Sequence, residues 1–150
     1  MKYIITLIFA VTSFSAFAQP NSNFDQEMAT SLGADEYGMR SYVLVILKAG
    51  PNKITDQAKL DKLFRGHMDN IQKMAKEGKL VMAGPFKKNA NDYKGLYVFN
   101  VKTIEEAKLL LQDDPLIKEN ALITEMFDWY GSAALPKYLE FHEKIEKKKP

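Results

Sequence analysis

Apolar and polar positions along this chain follow two different periods. From Tyr42 to Lys48 the run YVLVILK is β-branched and apolar at successive positions, which predicts a central strand covered on both faces. Ala49-Gly50-Pro51-Asn52 breaks it. The period then becomes helical, with Leu60, Leu63, Phe64, Met68, Ile71 and Met74 recurring at three- and four-residue spacing. Thr55 and Asp56 both suit the start of this helix, and Gly78 its stop. Leu80 to Ala83 predicts a second strand, with Gly84-Pro85 bending the chain and Asn89 to Asp92 turning it. Gly95 to Val101 (GLYVFNV) predicts a third strand, again apolar on both faces. Thr103-Ile104-Glu105-Glu106 opens a second helix with a capping box. That helix turns Ala107, Leu110 and Leu111 inward and ends before Asp114-Pro115, since the residue before proline avoids helical angles. A single turn from Pro115 to Glu119 follows. Ile123 to Tyr130 alternates more strictly and reads as an edge strand. Pro136 to Lys148 predicts a terminal helix with Leu139, Phe141 and Ile145 partly buried.

The order strand, helix, strand, strand, helix, strand is the split βαβ arrangement. It predicts an α+β, ferredoxin-like fold, βαββαβ, with both helices on one face of a four-stranded antiparallel sheet and an extra C-terminal helix. Two helices cover only one face, yet the two central strands are apolar on both. The bare face therefore predicts a homodimer with sheets packed face to face. The alternative is a monomer whose leader and terminal helix cover that face. Residues 19–40 are polar and hold two glycines, which predicts a flexible leader with one helical turn around Gln26 to Leu32. The folded domain then spans 41–131, with residues 132–150 as a helical extension.

Residues 1–18 stand apart. Lys2 precedes an apolar run, and Ala16-Phe17-Ala18 has the small-x-small pattern of a cleavage site, which predicts a secretory signal peptide. An uncleaved N-terminal anchor is the alternative. Cleavage would leave an exported protein, periplasmic or secreted, with no membrane attachment. The chain has no cysteine, so disulfides, thiolate catalysis and thiolate metal sites are excluded. Its formal charge of +2 falls to +1 when Lys2, the only charge in residues 1–18, is lost. A nearly neutral chain argues against nucleic acid as a partner.

Candidate chemistry centres on His67, one of two histidines. At 100° per residue, Leu63 and Ile71 lie about 40° to one side of it and Phe64 about 60° to the other. The imidazole is thus turned inward, where its proton chemistry can be tuned. A histidine on such a face is also commonly a core residue bonded to a backbone carbonyl, so two readings stand. Asp114 favours the functional one. The first helix and the end of the second lie side by side in this fold, and a carboxylate beside an inward imidazole fixes its tautomer and favours its protonated form. Asp114 is equally a good N-cap ahead of Pro115, and one carboxylate oxygen can cap while the other faces the ring. Asp113 is expected to face solvent, as is Arg65. Tyr97, Phe99, Trp129 and Tyr130 are candidates for a pocket lining as well as for core. No phosphate loop, Ser-His-Asp order or metal-ligand spacing is visible, and no cofactor or metal is expected. A haem or metal held by His67 is the weakest reading, for want of a second ligand.

GHMDNIQKMAKEGKLVMAGPF, the later EEAKLLLQDDP and the intervening YKGLYVFNV together resemble the YCII-related (YciI-like) domain family. The resemblance covers about Tyr42 to Tyr130. It implies a dimeric α+β barrel, and it implies that His67 and Asp114 match the family's active-site pair. The resulting expectation is a cofactor-independent enzyme of lyase or isomerase type acting on a small organic molecule. The alternative is a non-catalytic barrel that binds a small ligand. The signal, the leader and the tail GSAALPKYLEFHEKIEKKKP set the chain apart from small cytoplasmic members.

Overall fold

The computed structural model describes residues 21–148, so the expected signal peptide lies outside the described residues. The elements run α1 (Gln26–Leu32), β1 (Met39–Ala49), α2 (Gln57–Lys76), β2 (Leu80–Pro85), β3 (Tyr93–Phe99), α3 (Ile104–Leu111), α4 (Pro115–Lys118) and β4 (Leu122–Ser132). A 3-10 turn, Leu135–Tyr138, leads into α5 (Leu139–Ile145). The strands form one antiparallel sheet in the order β2-β3-β1-β4, which is ferredoxin-like. The two strands that read as apolar on both faces are the central pair, and the alternating one is an edge.

The helices pack on one face. Val43, Val45, Leu47, Tyr97 and Phe99 meet Met74 of α2 and Ala107 and Leu111 of α3 there. Asp56 starts α2 by accepting a hydrogen bond from the Lys59 N–H at 3.1 Å. The innermost line of α2 is narrower than its apolar pattern. Only His67 and Met74 are buried, with Ile71 and Ala75 packed beside the core. Phe64, at the edge of that arc, is 55% exposed. In α3, Thr103 accepts from the Glu106 N–H as expected, but the Glu106 carboxylate accepts from the N–H of Lys102 rather than Thr103, so the box closes one residue early.

The opposite face is covered at one corner. Leu135 and Tyr138 pack against Tyr42, Val81 and Val98. The register Tyr42↔Trp129 and Leu44↔Phe127 puts Trp129 and Phe127 on that face too, and both keep large exposed areas. Phe141 and Ile145 are exposed rather than partly buried, because α5 runs off the sheet after Tyr138 instead of lying along it. Gly84-Pro85 does not bend the chain out of the sheet. β2 continues to Pro85, opposite Gly95, because an edge strand tolerates a residue without an N–H.

Ahead of the sheet, α1 is capped by Asp25 and ends at Gly33, whose φ of 65° is the left-handed conformation glycine adopts freely. None of its residues is buried. It is held instead by hydrogen bonds. Arg40 donates to the Leu32 carbonyl at 3.0 Å, and Asp35 accepts from the Met39 N–H at 2.9 Å and from the Tyr130 hydroxyl. The Tyr130 hydrogen bond, then that of Met39, holds the Asp35 carboxyl below its usual range. A lowered folded pKa means the tie is complete above the unfolded carboxylate value, about 3.9, and is lost as pH falls through the folded one. Acidification should therefore release residues 21–38 before the sheet melts. Limited proteolysis or amide exchange between neutral pH and pH of about 3 will show protection lost first in this segment.

Candidate active site

Three side chains from three elements meet beneath α2. His67 presents its ring from the inner line of that helix, and Asp114 comes from the loop that closes α3 and caps α4. Tyr97 rises from the middle of β3, opposite Val45. Asp114 is fully buried, Tyr97 is 2% exposed and His67 is 6% exposed. The His67 Nδ1 to Asp114 Oδ2 distance is 2.6 Å. The other carboxylate oxygen, Oδ1, accepts from the N–H groups of Leu116 at 3.0 Å and Ile117 at 3.3 Å. One carboxylate thus caps a helix and orients an imidazole at once.

A carboxylate oxygen can only accept, so Nδ1 carries the hydrogen of that pair. In the neutral ring Nε2 is then the acceptor, and Tyr97 Oη stands 3.2 Å from it. The resulting chain runs from Tyr97 O–H to Nε2, through the ring, and from Nδ1–H to Asp114. Burial, and then the negative charge of Asp114, push the Tyr97 phenol well above its ordinary range. Tyr97 is therefore a neutral donor at any physiological pH.

The meeting depends on a close approach of backbones. A Cβ placed on Gly66 would lie 2.9 Å from Cγ of Pro115, a rigid ring that cannot swing aside. Glycine in a helix interior costs about 1 kcal/mol against alanine. Here it lets α2 sit directly on the start of α4, which brings the neighbouring residues His67 and Asp114 into hydrogen-bond range. The sequence pairs Gly66-His67 with Asp114-Pro115, and the structure stacks those two dipeptides.

The remaining candidates lie elsewhere. Asp113 is exposed and pairs with Lys118 at 2.9 Å. Arg65 is exposed on α2. Phe99 packs on Tyr97, with ring centroids 5.5 Å apart, inside the core. Trp129 and Tyr130 are on the outer strand β4, where Tyr130 serves Asp35. His142 lies on α5 against Tyr138. Tyr97 was legible only as a core or pocket aromatic, because strand alternation shows which face a side chain takes and not what its hydroxyl reaches. A shallow cleft of about 410 Å³ is lined by Ser41, Lys102, Thr103, Ile104, Glu105 and Asp128. It opens at the start of α3, whereas Asp114 follows the end of that helix, so cleft and imidazole are separate features. Among the described residues, no three of His, Cys, Asp or Glu gather to hold a metal ion. Nor is any helix among them long and apolar enough to cross a membrane.

Residues 41–130 match the family model of the YCII-related domain. No curated protein matches the chain. Among solved structures, the chain is similar to 5-chloro-2-hydroxyhydroquinone dehydrochlorinase (TftG) from Burkholderia phenoliruptrix AC1100, in its complex with 2,5-dihydroxybenzoquinone. The identity is 16%, the TM-score 0.46, and the match covers 59% of this chain and 92% of that one.

Three substitutions test the geometry. Gly66→Ala should destabilise the fold by about 1–3 kcal/mol, although alanine is the better helix former, because the methyl group overpacks Pro115. Urea unfolding will read that sign. Asp114→Ala removes the cap and orphans the imidazole N–H, an expected loss of about 2–4 kcal/mol. Asp114→Asn keeps a capping oxygen and should cost less.

Proposed function

The chain belongs to the YCII-related domain family, and on that premise we propose that it is an acid/base enzyme acting on a small organic molecule. His67 moves a proton at Nε2, and Asp114 holds the ring in the tautomer that leaves this nitrogen free to accept. The reaction type is a lyase or isomerase step, which needs a proton taken from one atom and returned to another. The carrying observation is the 2.6 Å contact between Nδ1 and a fully buried carboxylate. Enclosing an ionisable pair adds little to stability and is costly when imperfect, so its presence under a helix favours a chemical role.

The working unit is a homodimer whose sheets face each other. Support comes from Phe127 at 48%, Ile123 at 40% and Trp129 at 37% exposure on β4, beside a corner that Leu135 and Tyr138 cover only in part. The site of action is outside the cytoplasm, a reading that rests on Lys2, the following apolar run and Ala16-Phe17-Ala18. A second reading, a non-catalytic ligand-binding barrel, is favoured by the hydroxyl of Tyr97, which occupies the nitrogen a base would use.

Solvent-deuterium uptake into a panel of small carbon acids, read by mass spectrometry, separates the two. The enzyme reading expects uptake that falls about 10²- to 10⁴-fold in His67→Gln, with ligand binding retained. Binding without uptake by any member supports the barrel reading. For the assembly, light scattering should give twice the chain mass for the wild type and a monomer for Phe127→Glu. A wild-type monomer would overturn the dimer.

A further inference from the structure

Resting on the face-to-face dimer, we propose that α5 is an exchanged arm, the Phe141 and Ile145 stripe of each copy lying on Phe127 and Trp129 of β4 in the other. At 100° per residue, Tyr138, Phe141, His142 and Ile145 fall within an arc of about 100°, with Glu140, Glu143 and Lys144 outside it. The stripe starts on the sheet, where Tyr138 packs with Leu135 against Tyr42, Val81 and Val98. It then continues into water, with Phe141 64% and Ile145 78% exposed. The fold leads this arm away from its own β4. The Leu135–Tyr138 turn leaves the end of β4 and passes over β1 and β3 to touch β2, the opposite edge of the sheet. About 14 Å of sheet then separates the arm from the strip. The tail also lies outside the 41–130 stretch that the family model matches, so the arm belongs to this chain and not to the shared domain.

The receiving strip is flat and fixed. A Cβ on Gly131 would run into the Trp129 ring, so glycine there lets the indole lie down along β4. Tyr42 holds it from the side, with ring centroids 5.8 Å apart. An aromatic floor already in place costs little further ordering when an apolar arm lands on it. Area supplies the need for the arm. With the corner taken by Leu135 and Tyr138, the open patch spans Ile123 to Trp129 along the strands and reaches across β4, β1 and β3. Strand dimensions give it a footprint of about 24 Å by about 14 Å, or about 340 Å². Specific interfaces begin at about 600 Å² per partner, so the sheet patch alone falls well short. A two-turn helix covers about 100 Å², and each copy gives one arm and receives one, which closes most of the gap. Charge agrees with the pairing. β4 carries Glu125 and Asp128 and no cation, whereas 144–148 carries three lysines against Glu146.

The chain has no cysteine and a single tryptophan, Trp129, so both sides of the contact can be marked cleanly. Phe141→Glu combined with Ile145→Glu removes the stripe at two exposed positions, where the single chain loses no core. In a dilution series read by light scattering, this variant should dissociate at about 10²- to 10³-fold higher concentration than wild type, because four apolar side chains leave the interface. Its Trp129 emission should lie to the red of the wild-type dimer's. Ile145→Cys chains mixed with Phe127→Cys chains should form a disulfide-linked pair in greater yield than either variant alone. A chain carrying both cysteines should link to a second copy, whereas an internal disulfide would put the arm on its own sheet and overturn the proposal. A glutamate variant that dimerises as tightly as wild type would also sink it, as would a mixture that cross-links no better than its components. In either case the face-to-face dimer stands. A wild-type monomer is the separate failure: it removes the dimer itself, and the arm with it.

Discussion

The carboxylate of Asp114 has no exposed surface, and it is tolerable there because three donors converge on it. Two are the backbone N–H groups that open α4, which any helix start must satisfy. The third is the Nδ1–H of His67. Remove the imidazole and a buried oxygen loses its partner; remove the carboxylate and a helix loses its cap while a ring nitrogen is stranded. Placement of α2, initiation of α4 and the tautomer of His67 are thus one constraint seen from three sides. Gly66 against Pro115 supplies the clearance it requires.

The sheet supplies the third member through its register. Tyr97 stands opposite Val45 on the helix side, while Val98, the next residue, stands opposite Leu44 on the other. A slip of one residue would carry the Tyr97 hydroxyl away from the imidazole and bring Val98 beneath it. Antiparallel pairing of β3 with both β1 and β2 resists that slip, so the distance between Tyr97 and His67 is set by strand pairing far from the ring.

Much of this was legible in the residues. Strand and helix order, the central position of YVLVILK and GLYVFNV, and the dual use of Asp114 all follow from periodicity and capping chemistry. Three features did not follow. Pro85 reads as a bend because proline usually breaks strands, and only the sheet order shows that β2 is an edge where it is tolerated. Phe141 and Ile145 repeat at helical spacing, but a local period cannot say whether α5 returns to the sheet. Tyr97 is an aromatic among aromatics in YKGLYVFNV, and its role depends on a distance across 30 residues of chain.

Site and open face occupy opposite sides of the same two strands. His67, Asp114 and Tyr97 all come from a single chain, so the hydrogen-bonded triad is complete without a partner. A second copy seated on the open face would lie against Leu96, with Val98 already covered by Leu135 and Tyr138, and would not reach the Tyr97 hydroxyl between them in sequence. Its influence would pass through the backbone of β3, by holding the register that aims Tyr97 at Nε2. Assembly on that face would then steady the hydrogen-bonded triad without contributing a group to it, and the two could be altered separately by substitutions one residue apart.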